Sequence, residues 1–328
     1  MAIRARLIAT VALPDASAVT QGFAFHSRPG MRRVLLRDGG DLSLFDLDRA
    51  LAGDATPLAS VPNPWPLWTH GVHTSAPDGT LVVVVCGQRS IRAIERSGRT
   101  RWEYQHGCWG DRMHQHQGSA PCPGFGSGSC RLSADGRLLW AHVLPDVDHG
   151  DPSVDSHEEW LVLDTSDGRV LGRARIEGGS AGSEHLPHPD GKHMLLGTAQ
   201  GQDGSPVHLG HWDGTSLTVS EICDGFRIPT DIHSSGRVFV STPHSDDTLV
   251  LHQFPSGAPV MERDAESLTE PADEDSPSWD YVAGFVDAHT VIAGTRSWDE
   301  DETKQHWLLD ALSLRPLGPV AYPEPIHG

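Results

Sequence analysis

The 328-residue chain carries 44 acidic and 25 basic residues, and its formal net charge of −19 argues against nucleic acid as a partner. No hydrophobic run reaches membrane-spanning length, so we expect a cytoplasmic protein without a membrane partner. The 35 glycines and 24 prolines indicate many turns. The five cysteines are more typical of thiols or a metal than of a disulfide framework.

A short pattern recurs along the chain: a turn that contains glycine is followed at once by an apolar run. It is seen in Ser75–Val85 and in "SADGRLLWAHV", "HPDGKHMLLG" and "HSSGRVFVST". With two looser copies, the turn positions 30, 79, 136, 191, 236 and 288 lie 45 to 57 residues apart. Each copy predicts the end of one strand, a tight turn and a buried strand, and the period is typical of a propeller.

Each repeat divides into four strands, with the glycine turn joining the first to the second. We predict six repeats, with these bounds: Phe23–Val61, His70–Tyr104, Ser129–Ile176, Glu184–Ile222, Asp231–Arg263 and Trp279–Tyr322. Leu7–Ala12 precedes the first repeat, and we expect this strand to close the ring at the outer edge of the last repeat. Residues 105–128 form an insertion rich in Cys, His and Gly.

The repeats resemble the β-propeller superfamily of WD40-like and YVTN-like repeats, through the turn segments quoted above and the hairpin "EEWLVLDTSDGRVLGRARI". The resemblance implies an all-β fold with one β-propeller domain over residues 1–328 and four antiparallel strands per blade. Six blades are predicted, or seven if the N-terminal strand belongs to a further blade. The resemblance indicates no specific functional family, and fold alone does not give function.

The connections between predicted strands are of two kinds. The turns from first to second and from third to fourth strand are tight, whereas the other connections are long and carry Trp, His, Asp, Arg and Cys. In a propeller the long connections share one face, around the mouth of the central channel. We therefore expect the functional site on that face.

Histidines are the main candidates for chemistry on this face. His70 and His73 enter the second repeat, His185 matches His73 when the repeats are aligned on the glycine turn, and His114 and His116 lie in the insertion. Imidazoles at one height are typical of a metal site or an acid–base site. We predict these five histidines as metal ligands for Zn, Fe, Cu or Mn.

The same face supplies the remaining predicted site residues. In a catalytic site, His70 and His185 act with Asp231 as acid–base groups, and Arg227 or Arg296 stabilises a developing anion. Aromatic and polar side chains of the long connections are predicted to bind substrate: Trp65, Trp68, Trp109, His244, Trp279, Arg296 and Trp298.

Three functional hypotheses remain open. The first is an enzyme that acts on a small-molecule or peptide substrate in small-molecule or modified-peptide metabolism, with a His/Asp-lined, metal-binding or metal-free site at the channel mouth. The second is a non-catalytic scaffold that binds a protein or peptide through the long-loop face. The third is a propeller in which acidic loops such as Asp146–Asp151 hold structural Ca²⁺. No phosphate-binding glycine motif precedes a predicted helix, so no nucleotide cofactor is implied.

Overall fold

Strands dominate the computed structural model. It describes residues 2–7, 23–28, 31–38, 40–64, 73–76, 81–86, 89–107, 109, 128–146, 157–177, 182–223, 225–244, 248–268, 277–296 and 305–323. The described strands form six sheets in chain order, and five of these have four strands. The helices of the described residues are α1 (Leu47–Leu51) and two short 3-10 segments, and no described helix is long and apolar enough to span a membrane.

The first three sheets follow one another along the chain. The first contains β2 (Phe23–Arg28), β3 (Met31–Asp38), β4 (Asp41–Asp46) and β5 (Ala59–Pro62). The second contains β6 (His73–Thr74), β7 (Leu81–Cys86), β8 (Ser90–Glu95) and β9 (Thr100–Gln105). The third contains β10 (Ser129–Leu132), β11 (Leu138–Val143), β12 (Glu158–Asp164) and β13 (Val170–Ile176).

The remaining sheets repeat this order. The fourth contains β14 (Gly182–Pro187), β15 (His193–Ala199), β16 (Val207–Trp212) and β17 (Leu217–Ile222). The fifth contains β18 (Arg227–Ile232), β19 (Val238–Pro243), β20 (Thr248–Gln253) and β21 (Pro259–Asp264). The sixth contains β22 (Ser278–Asp287), β23 (Thr290–Arg296), β24 (Gln305–Asp310), β25 (Pro316–Ala321) and the N-terminal β1 (Ile3–Arg4). Consecutive four-stranded meanders of this kind define a single all-β β-propeller, as the sequence predicts.

The glycine turn closes the first hairpin of three successive sheets with the same backbone conformation. Its glycines have φ values of 76°, 72° and 70° at Gly136, Gly191 and Gly236. In the fourth sheet the His188 N–H donates to the His193 carbonyl and the Gly191 N–H to the His188 carbonyl, each at 3.1 Å. Positive φ is accessible to glycine at little cost, which explains why the sequence repeats it there.

N-terminal residues supply the outermost strand of the last sheet. The described strand there is β1, Ile3–Arg4, whereas residues 8–12 of the predicted strand Leu7–Ala12 lie outside the described residues. It pairs in parallel with β25, which already supplies the fourth strand of that sheet. Each sheet is therefore complete within one continuous stretch of sequence, and β1 covers an exposed edge instead of filling a vacant strand position.

The chain forms two compact units: residues 9–185 with 211–218, and residues 1–8 with 186–210 and 219–328. In the first unit, Ile91 and Trp102 of the second sheet pack on Leu139 and Leu161 of the third. In the second unit, Leu249 of the fifth sheet packs with Trp279 of the sixth. The middle strands of a sheet thus bury both faces, which explains the continuous apolar runs in their sequences.

Candidate functional site at the loop edge of the third sheet

Buried polar side chains concentrate where the third sheet meets its long connections. At this edge β10 begins, β11 ends and β12 begins. Residues 110–127 precede it in the sequence, and residues 144–157 join β11 to β12. We call this the loop edge of the third sheet.

Strand register brings three of these side chains to one height on one face. Ser129 pairs with His142, and His142 pairs with Trp160 on the next strand. Because side chains alternate along a strand, Glu158 lies on the same face as Trp160. Together with His185 of β14, these residues form what we call the loop-edge cluster. All five are buried, with exposed fractions between 0% and 4%.

Hydrogen bonds fix the His185 ring in one tautomer. Its Nε2 accepts from the Trp160 indole N–H at 2.9 Å. An indole nitrogen can only donate, so the ring proton of a neutral His185 is on Nδ1, which lies 2.7 Å from the Ser129 hydroxyl. Burial, with the nearby charges of His142 and Arg131, lowers the pKa of His185 well below its ordinary value. His185 is therefore neutral at neutral pH, with both ring nitrogens bonded within the protein.

His142 and Glu158 form a second pair in the cluster. The His142 Nε2 lies 2.9 Å from a Glu158 carboxylate oxygen, and neither side chain is exposed to solvent. The ring N–H direction does not satisfy hydrogen-bond geometry, so we regard the contact as electrostatic rather than as an aligned hydrogen bond. A carboxylate and an imidazole without solvent are costly to bury unless they compensate each other.

Several ring nitrogens around this pair have no hydrogen-bond partner among the described residues. They are Trp109 Nε1, Trp140 Nε1 and His142 Nδ1. Trp109 packs on His142 with ring centroids 5.5 Å apart, and Trp140 packs on Trp160 at 5.1 Å. Buried polar groups in proteins nearly always have a partner, so such a concentration calls for an explanation in function.

The loop-edge cluster has the composition of an acid–base site. Glu158 can stabilise a positive charge on His142, while His142 Nδ1 remains available for proton transfer. His185 is held neutral beside them and cannot compete for the same proton. The arrangement supports reversible removal of a proton from a bound molecule.

Many predicted site residues lie outside the described residues. They are His70, His114 and His116 among the histidines, and Trp65, Trp68 and Trp298 among the tryptophans. His73 opens β6 and Arg296 ends β23, and only their backbone is described. In the acidic loop predicted to hold Ca²⁺, Asp146 is described, and residues 147–151 lie outside the described residues.

Asp231 and Arg227 are described, and both bond to backbone. The Asp231 carboxylate accepts the Ile232 N–H and the Phe285 N–H, each at 2.8 Å, and so links the first strands of the fifth and sixth sheets. Burial raises the pKa of Asp231, although these two hydrogen bonds act in the opposite direction. Arg227 donates to the Thr248 carbonyl at 2.8 Å. Arg227 also lines a cavity of about 320 Å³ with Cys223, His252 and Glu262.

The described aromatic candidates differ in their surroundings. Trp279 is a core residue of β22 rather than a loop residue, because it is fully buried and its indole N–H donates to the Arg263 carbonyl at 2.8 Å. His244 packs loosely on Phe226, with ring centroids 6.5 Å apart. Trp109 alone among them contacts the loop-edge cluster.

Sequence reasoning missed Ser129, His142, Glu158 and Trp160. A usable signal was present, since His142 is the only polar residue in the apolar run Leu138–Val143. Glu158 follows an acidic stretch of sequence, yet it opens β12 and is fully buried. A polar residue inside or at the start of a buried strand deserved more weight than the acidic composition of the preceding loop.

One other group of described side chains could hold a metal. Ligand atoms of His188, Asp190 and His193 lie within 4.8 Å of one another. None of the five predicted metal ligands belongs to this group.

Comparison with known proteins identifies the fold and no family. No protein-family model matches the sequence, and no curated protein matches it. The β-propeller domain of Cps50 (Swd1) from Myceliophteria thermophila is similar in structure, with a TM-score of 0.54 and 11% identity over 93% of this chain and 88% of that chain. Hydrazine synthase of Kuenenia stuttgartiensis has a TM-score of 0.53 and 12% identity over 93% of this chain and 80% of that chain. KlAtg21, in a complex with the coiled coil of AgAtg16, has a TM-score of 0.51 and 9% identity over 90% of this chain and 87% of that chain. At these identities the likeness shows a β-propeller and nothing about activity.

Proposed function

We propose that the protein is a propeller enzyme of small-molecule or modified-peptide metabolism, with His142 and Glu158 as its acid–base pair. We also infer that each of the six sheets is one blade. The observation that carries the enzyme proposal is the concentration of buried ring nitrogens without a hydrogen-bond partner among the described residues, around a fully buried imidazole–carboxylate pair. Structural ion pairs seldom leave so many polar atoms without partners, whereas binding sites hold such atoms for a ligand.

His142 acts as the base through Nδ1. A proton leaves the substrate, the His142 ring becomes an imidazolium, and the Glu158 carboxylate 2.9 Å from Nε2 stabilises that charge. The proton returns to substrate or product from the same nitrogen, so no oxidant or reductant is needed. Neutral His185 adds no second positive charge beside the imidazolium.

Access to His142 requires movement, because neither member of the pair is exposed. Trp109 packs on the His142 ring and is only 2% exposed, and we assign it as the covering side chain. An indole that moves aside on binding would let its N–H and the His142 nitrogen meet polar groups of the substrate. Water would be excluded when the indole returns.

The scaffold alternative shares the same face and has no site observation of its own. The structural neighbours do not distinguish the enzyme from the scaffold, since one is named as a synthase and another is a complex with a coiled coil. The titratable pair at the loop edge favours the enzyme, because a peptide-binding face does not need a buried acid and base.

The test is a turnover screen with matched variants. Purified protein is incubated with pooled metabolites and modified peptides, and consumption is followed by mass spectrometry. We expect Glu158→Gln and His142→Gln to slow consumption about 100-fold or more. Glu103→Gln is the control, because Glu103 is also a paired carboxylate, bonded to Ser90 and Arg92 in the second sheet. Equal rates for wild type and Glu158→Gln would contradict the proposal, and so would peptide binding at this face without turnover of any compound.

A further inference from the structure

We propose that His188, Asp190 and His193 form a binding site for a divalent transition metal, with Zn²⁺ as the best match. The three residues belong to the turn between β14 and β15: His188 follows β14, Asp190 lies within the turn and His193 opens β15. This site is independent of the acid–base pair of the third sheet. It contains none of the histidines that the sequence predicts as metal ligands.

The two imidazoles face one carboxylate. The His188 Nδ1 lies 2.9 Å from one Asp190 oxygen, and the His193 Nδ1 lies 2.7 Å from the other. The two rings meet edge to face with centroids 5.6 Å apart. Coordination of Zn²⁺ requires ligand atoms about 2.0–2.2 Å from the ion, so three atoms that already lie within 4.8 Å of one another need only small adjustments.

The His188 ring is oriented as a metal ligand requires. Its Nε2 lies 2.9 Å from the Gly236 carbonyl, and because a carbonyl oxygen can only accept, Nε2 carries the proton. A neutral ring then presents its Nδ1 lone pair, which accepts the Asp190 backbone N–H at 3.2 Å. Metal-ligating histidines commonly donate their second N–H to a backbone carbonyl in this way. Phe254 stacks on the ring at 4.2 Å and keeps it in place.

This arrangement leaves an electrostatic conflict that a cation resolves. With the proton on Nε2, the Nδ1 lone pair of His188 faces a carboxylate oxygen at 2.9 Å. Two acceptors at hydrogen-bond distance repel each other unless a proton or a metal ion lies between them. A divalent ion satisfies both imidazoles and the carboxylate at once, whereas one proton satisfies a single contact.

Equivalent turns in the other sheets show which of the three proposed ligands the turn itself requires and which it does not. In the fifth sheet His233 starts the turn and its Nε2 contacts the Ala288 carbonyl at 3.2 Å, so a histidine at this position is explained by its bond to the next turn. Asp190 also has a structural role, because its carboxylate accepts the Lys192 N–H at 2.8 Å. The turn geometry does not require His193, since Leu138 and Val238 hold that position in the third and fifth sheets.

The ligand set suits zinc and leaves room for a further ligand. Two imidazoles and one carboxylate favour a borderline transition metal over Ca²⁺ or Mg²⁺, which prefer oxygen atoms. The side chains of His193 and Asp190 are 22% and 37% exposed, so solvent reaches the ligand atoms. Three protein ligands with solvent access permit a water molecule or an external group in the fourth position.

The test is a Co²⁺ and Zn²⁺ titration of chelator-treated protein. His193→Leu removes one ligand and introduces the residue that the third sheet holds there. We expect wild type to bind one more equivalent of metal than this variant and to show visible Co²⁺ absorption that the variant lacks. The affinity of the variant for the metal should be at least about 100-fold weaker than that of wild type. His306→Leu removes a histidine of the sixth sheet whose Nδ1 lies 3.0 Å from the Tyr322 hydroxyl, and we expect it to keep the wild-type stoichiometry.

Two outcomes would overturn the proposal. One is the same stoichiometry and Co²⁺ spectrum for wild type and His193→Leu, with circular dichroism showing that both are folded. The other is loss of metal in His306→Leu and His193→Leu alike, because the loss would then not depend on the three predicted ligands. Asp190→Asn provides a second variant, expected to weaken binding while its side-chain oxygen still accepts the Lys192 N–H.

Discussion

The loop-edge cluster and the His188 turn use the same residue types in opposite surroundings. His142 and Glu158 belong to strands and are fully buried, whereas Asp190 lies in a turn and is 37% exposed. Both pairs have a nitrogen–oxygen distance of 2.9 Å. Distance alone therefore does not show what a His–carboxylate contact does. In the interior each partner depends on the other for compensation of its charge, and at the surface water supplies most of it.

The largest expected effect follows from removing one partner of the buried pair. Glu158→Ala leaves His142 without its carboxylate and opens a cavity, and we expect a loss of about 3–5 kcal/mol in the free energy of unfolding. Urea denaturation at neutral pH measures it.

The matched control replaces both partners, as His142→Leu with Glu158→Leu. Because no charge then remains buried, we expect this double variant to unfold at a urea concentration near or above that of wild type. A loss below about 1 kcal/mol for Glu158→Ala would show that the pair is not electrostatically coupled.

Trp160 and Trp140, which packs on it, provide a comparison at the loop edge. Trp160→Phe removes the indole N–H that His185 Nε2 accepts and leaves a buried nitrogen without a donor. Trp140→Phe removes a similar volume, but its indole nitrogen has no hydrogen-bond partner among the described residues. We expect Trp160→Phe to cost about 1–3 kcal/mol more than Trp140→Phe in chemical denaturation. Equal costs would mean that the indole–imidazole hydrogen bond contributes nothing measurable.

The fold was more accessible from sequence than the site. The turn glycines Gly136, Gly191 and Gly236 mark a backbone requirement that few other residues meet, so they recur and reveal the repeat. β1 was not predicted, because its two paired residues, Ile3 and Arg4, carry no periodic signal.

The candidate site depends on contacts that no local pattern encodes. His142 meets Glu158 across a connection of 14 residues, 144–157, and whether such a carboxylate is buried cannot be read from the acidic residues around it. The role of His188 was even harder to predict from the sequence, since its ring is oriented by the Gly236 carbonyl of another repeat. In both cases the residue types were visible, and the partner that gives them a role was not.

The pH dependence of stability distinguishes the buried histidine from the surface group. Burial lowers the pKa of His185 well below the ordinary value of 6.5, so the unfolded chain binds a proton at this residue more readily than the folded protein does. Stability from this residue is present above pH 6.5 and is lost as pH falls below it, by up to about 1.4 kcal/mol per pH unit. Asp190 also has a lowered pKa, but its contribution is lost only below the ordinary range of a carboxylate, near 3.8. We expect His185→Gln to flatten the slope between pH 6.5 and 5 in urea denaturation, and an unchanged slope would contradict neutral burial of His185.

The smallest effect is expected at the surface group, in protein kept free of metal by a chelator. His193→Leu should change the free energy of unfolding by less than about 1 kcal/mol, because its contact with Asp190 is partly solvated and the third sheet accepts leucine at the same place. Thermal or urea denaturation measures it, with Glu158→Ala as the contrasting variant. The same comparison with excess Zn²⁺ sharpens the result, since a ligand at 100 times its dissociation constant stabilises the wild type by about 2.7 kcal/mol and the variant by less. A large loss in the chelated protein would instead place His193 among the residues that hold the turn together, as His188 is held by the Gly236 carbonyl.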